Sequence, residues 1–212
     1  MSPGPNGPRA IVFNFGGIYW KEKGVPAMRD VGYYNGKIGP IGEMSVPMND
    51  RAVYFGDGVY DATYAGGRAM YEADEHIARF YRNASELQIP PPMPPEALKR
   101  ELQACLDLMD EPRESMVYWQ ISRGTAPRTH AFPDAPPNLM ITVRPVSLVN
   151  LARPMRLITC EDIRSLRCDI KSLNLIPAVL ASQRAKEMGC QEAVFHRGGR
   201  VTECAHSNVH IL

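Results

Sequence analysis

The 212-residue sequence contains no apolar stretch approaching the ~20 residues that a membrane-spanning helix requires. Residues 1–8 are rich in proline and glycine and lack the basic-then-apolar pattern of a signal peptide. A long basic run is also missing, and 24 Lys and Arg residues against 23 Asp and Glu residues give a formal net charge of +1. We therefore expect no membrane association, no nucleic-acid partner and a cytoplasmic location.

The cysteines include no C-x-x-C pair, and they number five, at positions 105, 160, 168, 190 and 204. An odd number of cysteines without a secretory signal favours reduced thiols over a disulfide framework. Neither the cysteines nor the histidines have the spacing of a zinc site, so we expect no metal ion.

Apolar residues make up 44% of the chain and charged residues 22%, which is typical of globular proteins. The length allows one large domain or two modest ones. The stretch 145–154, with a proline at each end, is the best candidate linker between two such units.

The first half of the chain has the turn signals of β-hairpins. Asn35 and Gly36 separate two strand-like runs, and an Asn-Gly pair favours a tight hairpin turn. A second strand-like run, 52–64, breaks at Gly66 and Gly67 and resumes over 68–71. We expect a hairpin at each place.

Helical spacing of apolar residues follows the second hairpin. Asp74 is expected to cap a helix that runs to Leu87, and Pro95 is expected to begin the next helix. Strands are then predicted over 116–122 and 139–143.

Beyond the linker, the pattern predicts a strand over 155–160, a helix over 177–188 and a hairpin around Gly198. Residues 208–212 are also strand-like and carry no stop signal. We therefore expect the protein to continue beyond Leu212, because a sheet edge would otherwise stay unpaired.

Lys171 lies in an unusual sequence setting. Ile170 and Leu173 flank it, and Arg164 and Arg167 lie just upstream. Burial and nearby cations lower the pKa of a lysine, and a neutral amine can form a Schiff base. The alternative is an ordinary solvated lysine beside a helix start.

Two pairs of basic residues have spacings that suit anions. Arg128 and His130 would point to the same side of an extended segment and could hold a carboxylate. His76 and Arg79 share a helix face that would suit a phosphate. The alternative for each pair is a solvated surface.

Five segments, taken together and in this order, are more specific: Y-F-G-D-G-V-Y-D at 54–61, D-E-H-I-A-R-F at 74–80, R-G-T-A-P-R-T-H at 123–130, R-C-D-I-K-S-L-N-L at 167–175 and V-T-E-C-A-H-S-N-V at 201–209. They resemble the class IV aminotransferases, which bind pyridoxal phosphate. Branched-chain aminotransferases and aminodeoxychorismate lyase share that fold. The resemblance covers roughly residues 31–212.

The resemblance implies an α/β fold of the two-domain class IV type. Residues 1–30 would be a partly disordered N-terminal extension, and residues 31–147 would form the small α/β domain. Residues 148–154 would be the linker. Residues 155–212 would be the first part of a larger, cofactor-binding domain, which is incomplete here.

The resemblance also implies roles around pyridoxal phosphate. Lys171 would form the Schiff base and carry the proton to and from the substrate. Glu203 would pair with the pyridinium nitrogen, which makes the ring an electron sink. Arg79 would hold the phosphate. Further cofactor contacts would come from Arg164, Ser207 and Asn208.

The substrate carboxylate trap of the D-amino-acid-specific branch matches Tyr60, Arg128 and His130, with Tyr118 beside them. In the family the Arg and His reach in from the partner subunit, which implies a homodimer. The expected reaction is amino transfer between a D-amino acid, such as D-alanine, and a 2-oxo acid, such as 2-oxoglutarate.

Three alternatives stay open at this point. The chain could be a branched-chain aminotransferase or aminodeoxychorismate lyase, or an inactive piece that serves as an interaction module. His206 departs from the family, because residues 204–207 replace a Gly/Ser-rich stretch beside the cofactor ring. It would either alter the ring contacts or point away.

Overall fold

The computed structural model describes residues 26–111, 113–148, 150 and 152–210. The first sheet has six strands in the order β2-β1-β6-β5-β3-β4, with antiparallel neighbours throughout. Its strands are β1 (Val31–Tyr34), β2 (Lys37–Gly39), β3 (Gly58–Gly66), β4 (Ala69–Met70), β5 (Ser115–Ser122) and β6 (Asn138–Pro145). A 3-10 turn, Ile41–Glu43, follows β2.

This sheet and three helices together form what we call the first unit. The helices are α1 (Arg51–Phe55), α2 (Ala73–Glu86) and α3 (Pro95–Asp107). Apolar residues at helical spacing on α2 and α3 pack against one face of the sheet, with Phe80 edge-on to Trp119 at 6.1 Å between ring centroids. Each large apolar side chain that is fully buried in this way contributes roughly 1.5–3 kcal/mol. This face of the sheet therefore holds the main core.

The Asn-Gly hairpin is confirmed, with φ of 46° at Asn35 and 89° at Gly36 between β1 and β2. Both residues lie in the left-handed region, as a type I′ turn requires. The 66–67 hairpin is also confirmed, since β3 pairs with β4 there.

The predicted strand over 52–64 is wrong in its first part. Residues Arg51–Phe55 form helix α1, because the Asp50 side chain accepts a hydrogen bond from Ala52 N at 2.8 Å and Gly56 ends the turn at φ 61°. These local caps outweigh the strand preference of the Val-Tyr-Phe run.

The predicted cap of α2 is also displaced. The helix begins at Ala73 after Glu72, which has φ 46°, so that Asp74 lies in the first turn and not at the cap. Pro95 does begin α3, as its lack of an N–H donor favours.

The second unit is built on a three-stranded sheet. Its strands are β7 (Leu157–Glu161), β8 (Glu192–Arg197) and β9 (Arg200–Cys204). Strands β7 and β8 are parallel, and helix α4 (Ile176–Glu187) lies between them in the chain. Small side chains of α4 pack on Phe195 of β8. The strand, helix and hairpin predicted for this region are confirmed.

Two predictions concern the ends of the chain. Residues 208–210 form no strand, so the expected strand is wrong there, and residues 211–212 lie outside the described part. Most of the predicted N-terminal extension, residues 1–25, also lies outside it. Met28 is buried and exchanges backbone hydrogen bonds with Leu108 and Asp110. None of the described helices has the length and apolar character needed to cross a bilayer.

Candidate active site

The segment that carries Lys171 is held against the free edge of β3. Tyr60 N donates to Lys171 O at 3.0 Å, and Leu173 N donates to Gly58 O at 3.1 Å. A Cβ at Gly58 would lie 2.2 Å from Ile121 O, so only glycine allows the strands to pack this closely. The backbone of Lys171 is thus fixed by the first unit.

The side chain of Lys171 meets Tyr60. Its Nζ donates to the Tyr60 hydroxyl at 3.2 Å and lies 4.3 Å from the ring centroid. Tyr60 stacks on Tyr118 at 5.4 Å, and the Tyr118 hydroxyl donates to Gln120 at 2.8 Å. Burial raises the pKa of Tyr118 above its ordinary value. The stacked rings hold the acceptor of the lysine amine in place.

Lys171 opens into a cavity of about 730 Å³ between the two units. The predicted cofactor and substrate residues that line it are Tyr60, Arg79, Arg164, Lys171, Glu203, Ser207 and Asn208. The structure therefore brings together residues that are more than 140 positions apart in sequence.

Glu203 lies on β9, opposite Phe195. Its Oε1 accepts hydrogen bonds from the backbone N–H groups of Cys204 and Val209, both at 3.0 Å. Two N–H donors stabilise a charged carboxylate and fix its direction. The half-buried side chain thus presents an oriented acceptor at the cavity wall.

Arg79 reaches the cavity from α2 and is tied to Asp61. Its Nε and Nη2 donate to the two oxygens of that carboxylate at 2.8 and 2.7 Å. Donating these hydrogen bonds to Asp61 raises the pKa of Arg79, against the opposing effect of burial. His76, one turn earlier, lies 2.9 Å from the same carboxylate.

Arg164 is held in a similar way by a buried acid. Its Nε and Nη2 donate to Asp162 at 3.0 Å each, and its guanidinium lies 4.6 Å from the centroid of the Phe195 ring. Thr202 donates to Asp162 at 2.7 Å. The hydrogen bonds from Arg164 hold the pKa of Asp162 well below its usual range, with burial opposing them.

The charge expected around Lys171 is smaller than the sequence predicts. Arg164 is paired with Asp162, and Arg167 is paired with Asp169 and with Glu86 of α2. These carboxylates therefore offset the positive charge of both upstream arginines. Ile170 is buried, as expected.

Arg128 and His130 do not line this cavity. Both are exposed, and they flank Phe55: the Arg128 guanidinium lies 5.2 Å and the His130 ring 5.4 Å from the Phe55 ring centroid. They share one side of their loop, as the i, i+2 spacing predicts. Within one described chain they stay apart from Lys171.

His206 faces the cavity and does not point away from it. Its Nδ1 lies 2.9 Å from the buried carboxylate of Glu192, which also accepts from Ser207 Oγ at 2.7 Å. Glu192 was not predicted, and neither were Asp61 and Asp162. Asp61 carries a weak sequence signal, a single acid between apolar neighbours on a strand.

Comparisons with known proteins identify the family. The family described as amino-transferase class IV matches residues 58–212. D-alanine aminotransferase from Bacillus licheniformis is 36% identical over 181 residues, which are 84% of this chain and 64% of that protein. The enzyme of the same name from Staphylococcus haemolyticus is 38% identical over 186 residues, 85% of this chain and 65% of its own length. The chain thus spans slightly less than two thirds of these relatives.

Solved structures show the same fold at lower identity. A branched-chain aminotransferase from Thermoproteus uzoniensis superposes with a TM-score of 0.74 at 14% identity, covering 82% of this chain and 62% of that one. A fold IV transaminase from Curtobacterium pusillum gives 0.71 at 16% identity, covering 84% and 67%. Class IV aminotransferases depend on pyridoxal phosphate, and one similar structure, from Mycobacterium tuberculosis, is a form with that cofactor bound. By its family match and these relatives, the chain belongs to the class IV aminotransferases.

Proposed function

We propose that this chain carries a pyridoxal-phosphate-dependent aminotransferase site that moves an amino group between a D-amino acid and a 2-oxo acid. The observation that supports it most is the single cavity lined by Lys171, Glu203 and Arg79. The 36–38% identity to enzymes named D-alanine aminotransferase supports the D-amino acid as substrate.

The cavity residues fit the chemical parts of the cofactor. Lys171 supplies an amine for its aldehyde, Glu203 an oriented carboxylate for its ring nitrogen, and Arg79 a guanidinium for its phosphate. Arg164, Ser207 and Asn208 line the same cavity and would add further contacts to the cofactor. When bound, pyridoxal phosphate supplies an electron sink for the charge that develops at the substrate α-carbon.

Lys171 would hold the cofactor through its amine and, once that amine is free again, would move the proton at the substrate α-carbon. Tyr60 accepts a hydrogen bond from its Nζ, which keeps the amine directed into the cavity. The stacking of Tyr60 on Tyr118 limits the motion of that acceptor. Such pre-positioning lowers the entropic cost of the proton transfer.

Glu203 would pair with the cofactor nitrogen and, through its negative charge, would favour the protonated form of that nitrogen. Its own direction is set by the backbone N–H groups of Cys204 and Val209. Arg79 would bind the phosphate from the first unit, so residues of both units would contact one ligand.

We propose that Tyr60, Tyr118, Arg128 and His130 form the substrate carboxylate trap, with the last two supplied by the partner of a homodimer. Both are exposed and lie apart from Lys171 in one chain. Exposed apolar side chains near their loop, Met48, Val53 and Phe132, suit burial against a second copy.

The five cysteines are unpaired, which supports a reducing compartment such as the cytoplasm.

The test is an absorbance titration of the purified chain with pyridoxal phosphate, alongside Lys171→Ala. The proposal expects a new long-wavelength band in the natural chain, loss of that band on adding D-alanine, and no band in the variant. Lys186→Ala is the matched control, because Lys186 lines the same cavity. This variant should keep the absorbance band.

Two results would contradict the proposal in different ways. Response to L-leucine and none to D-alanine would indicate a branched-chain aminotransferase. No band in any of the proteins would indicate an inactive piece, in keeping with its partial span of the relatives.

A further inference from the structure

Asp61 is a fully buried carboxylate that contacts Arg79, one of the residues lining the cavity. It follows Tyr60 on β3, so the two side chains leave the strand on opposite faces, and the Asp61 side chain has no exposed surface. A buried charge is costly unless it is paired and hydrogen-bonded. The groups that contact the Asp61 carboxylate therefore show how its buried charge is stabilised.

Two of those groups are side chains of α2, and the third is a backbone N–H group of β3. Arg79 contacts both carboxylate oxygens, His76 Nδ1 lies 2.9 Å from Oδ1, and Ala62 N donates to Oδ1 at 2.8 Å. His76 Nδ1 is also 3.0 Å from Arg79 Nη2. Burial by itself raises the pKa of Asp61, but the hydrogen bonds from Arg79 and His76 outweigh it and hold the pKa below its usual range.

The two-point contact fixes the plane of a side chain that would otherwise be mobile. The Arg79 side chain is 43% exposed, and an arginine at such a surface samples many rotamers. Its Nε and Nη2 are occupied by Asp61, while its Nη1 has no hydrogen-bond partner among the described residues. The free donor is therefore held in one place at the cavity wall.

We propose that Asp61, with His76, is a positioning residue for phosphate binding: it fixes the Arg79 guanidinium so that Nη1 meets the phosphate of the cofactor. The inference rests on the proposed function, in which Arg79 binds that phosphate. Because Asp61 offsets the charge of Arg79, and Asp162 that of Arg164, the site holds the phosphate by donor geometry more than by excess positive charge.

The test compares two ligands that differ by one phosphate. The natural chain and Asp61→Asn are titrated with pyridoxal phosphate and with pyridoxal, which also has the aldehyde but no phosphate. We expect Asp61→Asn to bind pyridoxal phosphate about tenfold more weakly, since a charge-assisted pair is lost, and to bind pyridoxal as the natural chain does.

The matched control is Asp74→Asn, the same change at an exposed acid of α2 that pairs with Lys99. It should leave both affinities unchanged. In an Arg79→Ala background, Asp61→Asn should cause no further loss of affinity for pyridoxal phosphate, because its effect acts through Arg79.

Thermal unfolding of each variant shows whether it folds. If Asp61→Asn does not fold, His76→Ala replaces it, because His76 is partly exposed and its loss leaves the buried carboxylate in place. We expect about a twofold to threefold loss of affinity for pyridoxal phosphate alone, since the Arg79 contact remains.

Three results would overturn the inference. Natural affinity for pyridoxal phosphate in the folded Asp61→Asn variant, or in its His76→Ala replacement, would show that Arg79 needs no positioning. An equal loss for both ligands would show a structural role. Failure of the natural chain to bind pyridoxal phosphate would remove the proposed function and this inference with it.

Discussion

The two units of the molecule differ in how they are built. The first packs α2 and α3 on a six-stranded sheet and buries large side chains such as Phe80 and Trp119. The second has three strands, a small core around Phe195 that is rich in alanine, and a helix whose Ile176, Val179 and Leu180 are exposed. The candidate site lies between them, with Lys171 anchored on the first unit and Glu203 on the second.

This difference assigns separate tasks to the two units. The first unit supplies rigid positions for Lys171, Tyr60 and Arg79, through strand pairing and a buried ion pair. The second unit supplies Glu203 from a sheet with little apolar burial of its own.

The largest expected effect comes from matched truncations of the two cores. Phe80→Ala should lower the free energy of unfolding by about 3–5 kcal/mol, because it leaves a large cavity in a well-packed core. Phe195→Ala should cost less, about 2–3 kcal/mol, because its neighbours are small and fewer contacts are lost. Urea denaturation of both variants measures the difference, and equal losses would contradict the comparison.

The close packing around Gly58 can be tested by adding a methyl group. A Cβ there would lie 2.2 Å from Ile121 O on the neighbouring strand β5 and 2.8 Å from Leu173 Cδ1, so Gly58→Ala has to displace β5 as well as the Lys171 segment. We expect a loss of about 1–3 kcal/mol in unfolding free energy. Gly66→Ala is the control, because no atom lies within 4 Å of its added Cβ. A neutral Gly58→Ala would show that β3 is not packed tightly against β5 and the Lys171 segment.

Acid should weaken both units through one buried carboxylate in each. The folded pKa values of Asp61 and Asp162 lie below the ordinary value of 3.8. The unfolded chain then binds more protons, so stability is present above about pH 4 and falls as the pH drops through the folded values. Unfolding midpoints measured from about pH 6 down to pH 2 should fall, and less steeply in Asp162→Asn. A flat profile would contradict the two ion pairs.

Much of the candidate site follows from the sequence. The resemblance of five segments to the class IV aminotransferases implies that Lys171, Glu203 and Arg79 contact one ligand, and the structure brings all three to one cavity. The strands and helices of the second unit also follow from periodicity, because each pattern is locally complete.

The remaining features depend on tertiary contacts. Asp61 and Asp162 acquire meaning only when Arg79 and Arg164 fold onto them, which no local pattern encodes. Helix α1 was missed because a five-residue helix depends on its caps more than on the strand preference of its residues. The trap role of Arg128 and His130 stays a prediction, since one chain does not bring them to Lys171.

The role of Lys171 is tested most directly by finding the residue to which pyridoxal phosphate attaches. The chain is mixed with the cofactor, the resulting bond is fixed by borohydride reduction, and the labelled peptide is identified by mass spectrometry. We expect one label, on the peptide that contains Lys171. A label on Lys186 or Lys99 in its place, or no label at all, would contradict it.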